Sequence, residues 1–306
     1  MQCTRQMVPP KKPAMSGKPR ETEDICLFLF VKLILKAMRC SRLKSEIKYL
    51  CNNVAIIYTF VRIKNGSMNH THTEEVIGIR NLTMHFGDHI ALKNMDLSIG
   101  KGEIFCLLGQ NGAGKTTTIN ILLGFLKPTS GEVVIGTEKN ERREVGSRKS
   151  VAYIPEVVQL YGNMTGIENL DFFSRLAGFR YDATRLAGFL VKAGLQVEAH
   201  EKRMSAYSKG MRQKVGIGIA LAKGARIILM DEPTSGLDPK ASSDFIQICK
   251  DLSKEGCTIL MATHDIFNAV NVGDRIGIMK EGRLVHTIET SMITATELEK
   301  LYLETI

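Results

Sequence analysis

The chain of 306 residues contains no tryptophan, and aromatic residues make up only 6% of it. A surface that stacks exposed bases on aromatic rings is therefore not indicated. Its seven cysteines, Cys3, Cys26, Cys40, Cys51, Cys106, Cys249 and Cys257, are odd in number and form no C-x-x-C pair. That pattern argues against a disulfide framework or a zinc site and reads as reduced thiols, buried as small apolar side chains. There is no repeat of 20–50 residues and no long heptad run, which excludes solenoid and coiled-coil architectures. No apolar run reaches the roughly 20 residues that a membrane span needs.

What is present is a globular composition, 44% hydrophobic and 24% charged, long enough for one large α/β domain or two small ones. The net charge of +9 is confined to one end. Residues 1–67 hold 13 Lys/Arg against 4 Asp/Glu, whereas residues 68–306 hold 28 of each. The larger part thus carries no overall bias toward nucleic acid.

Residues 1–67 read as a basic N-terminal extension. Its first 24 residues are polar and proline-bearing, a composition that favours disorder. Residues 26–38, CLFLFVKLILKAM, are apolar but carry Lys32 and Lys36, with Arg39 next, at helical spacing. Too short and too charged for a good span, the run suits an amphipathic helix on a membrane surface. A secretory signal is disfavoured because Glu21, Glu23 and Asp24 precede an apolar core of only six residues. The competing reading is that 1–67 has no functional structure and that Met68 is the true start. The domain of interest is then 68–306.

From about Val76 short apolar runs alternate with helical segments: IFCLL (104–108), VAYI (151–154), RIILM (226–230), CTILM (257–261) and RIGIM (275–279). Such runs predict a buried parallel sheet in an α/β layer fold. The run IFCLL leads directly into Gly109-Gln110-Asn111-Gly112-Ala113-Gly114-Lys115-Thr116-Thr117. This is G-x-x-x-x-G-K-[ST] in the context it requires, strand then loop then helix. The glycines let main-chain N–H groups converge on phosphate oxygens, and the following helix points its positive end at the same anion. In that motif Lys115 reaches the β- and γ-phosphates, Thr116 ligates Mg²⁺ and Thr117 helps hold the α-phosphate.

The run RIILM ends in Asp231-Glu232. Asp231 at a strand's carboxyl end suits a residue that holds Mg²⁺ through water. Glu232 is then the group expected to position and deprotonate an attacking water.

A third motif, Tyr207-Ser208-Lys209-Gly210-Met211-Arg212-Gln213, precedes the apolar stretch KVGIGIALAKG. Ser208 is a good N-cap, and a helix start of this kind is a second anion site. One triphosphate needs one cradle from its own chain. A second cradle makes sense if it covers the nucleotide of another copy.

These motifs resemble the ABC ATPase family from Val76 to about Val285, with YSKGM standing where that family has LSGGQ. The resemblance implies a P-loop NTPase core with a parallel sheet, an N-terminal antiparallel β subdomain and an inserted helical signature subdomain. It implies that Phe86, 23 positions before Gly109, stacks on adenine; the alternative is a core aromatic. Glu156 falls where the family has a Gln-bearing loop that contacts metal and water. Ser208, Lys209, Gly210 and Met211 would face the opposite subunit's ATP. Asp238, in TSGLD, belongs to a loop that touches the partner, and His264, in MATHD, is similar to the family's γ-phosphate-sensing histidine. The departures from the pattern include Glu156 for Gln, Lys209 for Gly and Met211 for Gln.

The resemblance implies an ATPase that uses ATP and Mg²⁺ and works with a second ATP-binding subunit. An integral-membrane permease would dock on residues from Glu156 to Phe173 and on 181–194. Its implied place is the cytoplasmic face of a bacterial inner membrane, in an exporter-type system for drugs, lipids or ions, with no nucleic-acid partner expected. The competing functional classes are a soluble ABC-type ATPase acting on nucleic acid or ribosomes, and a binding-only regulator. One cassette without a coiled coil weighs against the first. Intact Lys115, Asp231, Glu232 and His264 weigh against the second.

Overall fold

The computed structural model describes residues 75–136 and 150–306. The expectations for residues 1–67, including the membrane-surface helix and the start at Met68, lie outside the described residues.

Strands β1 (Glu75–Phe86) and β2 (His89–Gly100) form a hairpin, and β4 (Ser130–Ile135) pairs antiparallel with the other side of β1. The result is a three-stranded sheet of order β2-β1-β4, the expected antiparallel subdomain. A second sheet has six strands. These are β3 (Ile104–Gly109), β5 (Val151–Ile154), β6 (Ile227–Asp231), β7 (Thr258–Thr263), β8 (Arg275–Lys280) and β9 (Arg283–Glu289), in the order β5-β6-β7-β3-β8-β9. All pairs are parallel except β8–β9. That exception follows from the tight turn at Glu281-Gly282, where both residues have positive φ, the backbone a two-residue hairpin needs.

The parallel strands read as unbroken apolar runs because both sheet faces are covered. Alternate residues serve two cores. Phe105 and Leu107 of β3, Leu229 of β6 and Leu260 of β7 pack with the antiparallel sheet and helix α1 (Lys115–Leu123). Cys106 and Leu108, Ile228 and Met230, and Ile259 and Met261 face the opposite side. There they meet a helical layer that includes α2 (Gly166–Leu176), α3 (Ala183–Lys192) and α4 (Lys209–Ala222). Each large apolar side chain that is fully buried there, such as Phe173 or Leu190, contributes about 1.5–3 kcal/mol. Cys106, Cys249 and Cys257 are free and buried, and burial pushes their thiols upward.

Helices α2 to α4 all lie between β5 and β6 in the chain, so they are an insertion in the sheet's wiring, as expected. Side chains at their starts set their boundaries. Thr165 and Glu168 form a capping box on α2, Asp182 caps α3, and Ser208 accepts from Met211 N–H at 3.3 Å on α4. Among the described residues there are three more α-helices: α5 (Pro239–Lys254), α6 (Ile266–Val272) and α7 (Ala295–Thr305).

Candidate active site

The strand order decides which loops meet. Neighbouring strands β5, β6, β7 and β3 are mutually parallel, so all four end at the same sheet edge. At or just beyond those ends stand Glu156, the Asp231-Glu232 pair, His264 and the phosphate loop. The carboxyl edge of a parallel sheet is where α/β folds bind their ligands.

The phosphate loop is braced from below. Gly282 N–H donates to the Ala113 carbonyl at 3.0 Å, and Lys93 N–H donates to that of Gly282 at 2.8 Å. Gly114 has φ 106°, and a Cβ there would lie 2.8 Å from both the Ala91 carbonyl oxygen and Leu92 Cδ2. Only glycine meets both conditions. Gly114 is also the N-cap of α1, with no side-chain cap, so the first-turn N–H groups are left for an anion. Gln110, Asn111, Gly112 and Thr116 are exposed along the loop, whereas Ala113 is buried beneath it.

Lys115 is 5% exposed, a degree of burial that an ammonium tolerates only with partners. Its Nζ donates to the carbonyls of Gly109 (2.5 Å) and Gln110 (3.2 Å). It also stands 3.5 Å from Glu232 Oε1. The loop after β3 and the loop after β6 therefore meet through one ion pair.

Glu232 holds φ 45°, a left-handed backbone that a side-chain-bearing residue adopts at a cost. Its N–H still donates to Ala262 O at 2.9 Å, one step beyond β6, which fixes that conformation against β7. Its Oε2 accepts from the His264 main-chain N–H at 3.3 Å and stands 2.8 Å from His264 Nδ1. Its Oε1 is buried without a hydrogen-bond partner. A partly buried, strained carboxylate with a spare acceptor lobe is equipped to take a proton.

Asp231 is buried, and its Oδ1 also lacks a hydrogen-bond partner. Burial raises its carboxyl above the usual carboxylate range; the hydrogen bond to the Thr116 side chain opposes this, and the neighbouring Glu232 charge adds to it. An orphaned carboxylate oxygen beside a hydroxyl is a donor set that fits a hard divalent cation such as Mg²⁺.

Phe86, at the end of β1, is 47% exposed and so is not a core aromatic. Thr117 is half-buried in the first turn of α1. Glu156 does not stand alone: its Oε1 accepts from Ser235 Oγ at 3.0 Å and lies 3.7 Å from Lys209 Nζ. Around Gly210 the nearest atoms to a Cβ would be those of Ala241 and Leu237, so the Ser208–Met211 turn packs on the start of α5. Asp238 caps α5, accepting from Ala241 N–H at 2.9 Å.

Two organising residues were not foreseen. Gln213, buried on α4, donates from Nε2 to the carbonyls of Pro155 (3.3 Å) and Glu156 (3.0 Å). Asn268 on α6 donates from Nδ2 to Asp265 Oδ2 (2.7 Å), Ser242 Oγ (3.1 Å) and Thr234 Oγ1 (3.3 Å). Gln213 reaches 57 and 58 residues along the chain, and Asn268 reaches 26 and 34 as well as its neighbour Asp265, and no local pattern announces that.

A family model described as ABC transporter matches residues 92–235. The bacitracin transport ATP-binding protein BcrA of Bacillus licheniformis is 34% identical over 214 residues, 70% of this chain and 69% of that protein. The fluoroquinolones export ATP-binding protein MT2762 of Mycobacterium tuberculosis is 35% identical over 69% of this chain and 70% of its own length. Among solved structures, the dimeric post-hydrolysis state of the cassette MJ0796 bound to ADP and Pi superposes with a TM-score of 0.61. That match has 30% identity and covers 70% of this chain and 99% of the other. The chain therefore belongs to the family of ABC transporter ATP-binding proteins, and its cassette is an ATP-binding, ATP-hydrolysing one.

Proposed function

We propose that this chain is the energy-supplying subunit of an exporter-type ABC transporter and that its two anion cradles serve two different nucleotides. The observation that carries this reading is that the two cradles meet different neighbours within one chain. The phosphate loop meets Glu232, whereas the Ser208-capped turn packs on Leu237 and Ala241 and leans on the Glu156 loop. The second cradle is then free to cover the γ-phosphate of a second ATP-binding subunit. That geometry makes closure of the pair depend on ATP.

In the closed pair, Phe86 offers its exposed ring to adenine. The α1 N-terminus and the loop amides hold the phosphates, and Lys115 exchanges its carbonyl partners for β- and γ-phosphate oxygens. Thr116 and Asp231 would hold Mg²⁺, which supplies charge neutralisation to the phosphates when bound. Glu232 takes the proton of the water that attacks the γ-phosphorus, as the bond to the β-phosphate oxygen breaks. His264 orients Glu232 through both of its contacts to Oε2. Loss of the shared γ-phosphate then releases the two subunits from each other.

Among the described residues no helix is long and apolar enough to cross a membrane, so the pore is assigned to an integral-membrane permease. We assign its docking surface to residues from Glu156 to Phe173 and to 181–194. The partly exposed Phe172 there packs edge-on against Tyr161 and Phe173. The place of action that follows is the cytoplasmic face of a bacterial inner membrane.

Two measurements test the proposal. Specific ATPase activity is expected to fall on dilution and to recover with concentration. A specific activity that stays constant down to nanomolar protein refutes dimer-dependent hydrolysis. Purification from native membranes is expected to bring down a polytopic membrane subunit, and recovery of ribosomes or nucleic acid instead would favour the competing soluble ATPase.

A further inference from the structure

Two of the residues that depart from the family pattern touch each other. Glu156 lies beyond β5 and Lys209 opens α4, 53 positions later, yet Lys209 Nζ stands 3.7 Å from Glu156 Oε1. The same oxygen accepts from Ser235 Oγ, in the loop after β6. Lys209 Nζ also lies 3.8 Å from the position a Cβ would take at Gly236. One turn along α4, Gln213 grips the main chain of the same loop at Pro155 and Glu156. Residues four apart on a helix share a face, so this face of α4 is fastened to the Glu156 loop twice, by charge and by amide.

We propose that Lys209 is a positioning residue for Glu156, and that the two work as one unit that locks the Glu156 loop, the Ser235-Gly236 loop and the signature helix together. A carboxylate in this place stands just beyond β5, at the same sheet edge as the phosphate loop. Unpaired, it repels an incoming triphosphate. Lys209 cancels that charge and holds the side chain on Ser235. Lys209 therefore acts inside its own subunit, in addition to lying beside the partner's nucleotide.

The inference rests on ATP hydrolysis at this site, and its test separates the two. Glu156→Gln, Lys209→Gln, the double variant and Lys209→Arg are made in the full chain, and kcat and KM for ATP are measured at low and high salt. Both side chains are partly exposed, which limits the coupling to about threefold. Lys209→Gln alone is expected to raise KM by about that factor. Adding Glu156→Gln should return KM toward the value of Glu156→Gln alone, Lys209→Arg should recover most of what Lys209→Gln loses, and the coupling should fade at high salt. Multiplicative effects of the two single changes, unaltered by salt, overturn the pairing. The same cycle on thermal midpoints of the nucleotide-free chain reads the pair without turnover. Non-additivity of about 1–3 °C is expected, and strict additivity refutes it. A wild-type chain that does not hydrolyse ATP would strike the catalytic reading and leave the thermal cycle to judge the pairing.

Discussion

Replacing Glu232 by Gln keeps the shape of the side chain and removes its charge and its basicity. Three contacts define what changes. The Oε1 lobe faces Lys115 at 3.5 Å, the Oε2 lobe meets the His264 N–H and ring, and Oε1 has a spare acceptor position. A Gln oxygen can still accept from the His264 N–H, so the backbone at φ 45° stays supported. The lost base lowers turnover by about 10²–10⁴-fold. Nucleotide binding moves the other way. A carboxylate about 5 Å from a γ-phosphate oxygen repels it by at most about 3 kcal/mol at an effective dielectric constant of about 20, before screening. Removing that charge tightens or preserves affinity. Lys115 loses an ionic partner but keeps two carbonyls, so the fold loses only about 1–2 kcal/mol. Phosphate release under single-turnover conditions, paired with calorimetric titration of Mg·ATP, reads both quantities. Hydrolysis within tenfold of wild type would remove Glu232 from the role of base. A parallel collapse of rate and affinity would assign it to nucleotide binding instead.

Gly114→Ala places a Cβ at φ 106° and 2.8 Å from the Ala91 carbonyl; a loss of about 2–5 kcal/mol in thermal unfolding and of nucleotide binding is expected, and wild-type behaviour in both would refute the tight brace. Asn268→Ala frees Thr234 and Ser242 from α6; a cost of about 1–2 kcal/mol with a several-fold fall in kcat is expected, and an unchanged kcat would confine Asn268 to a structural role. Lys223 is almost fully buried, which pushes its ammonium down to about 7. In the unfolded chain it titrates near 10.4, so between pH 7 and 10 the unfolded state binds the extra proton and stability should rise with pH. Denaturant unfolding of Lys223→Met should lack that rise, and an identical pH slope in both proteins would refute the assignment.

The local elements were legible because their causes are local. The run IFCLL, the glycine loop and the helix after it predict β3, the phosphate loop and α1 with a boundary error of one residue. The runs of β5 to β8 are recognisable because a strand covered on both faces must be apolar at every position. The later strands proved one or two residues longer at their carboxyl ends than the apolar runs, because Asp231 and Thr263 continue the ladder although they are polar. Caps at Ser208 and Asp238 follow from side-chain chemistry alone.

What the sequence by itself determined about this protein is which chemistry is present: a phosphate cradle, a pair of acids after a buried strand, and a second capped turn. What only the tertiary structure decided is which of these groups touch. The order β5-β6-β7-β3 brings Glu156, Glu232, His264 and Lys115 to one edge although they are spread over 150 positions. Only folding could show that the added charge of Lys209 answers that of Glu156 in the same chain. The physical reason is range: propensity and capping act over one helical turn, whereas an ion pair between loops exists only where packing of the whole sheet has carried its two ends together.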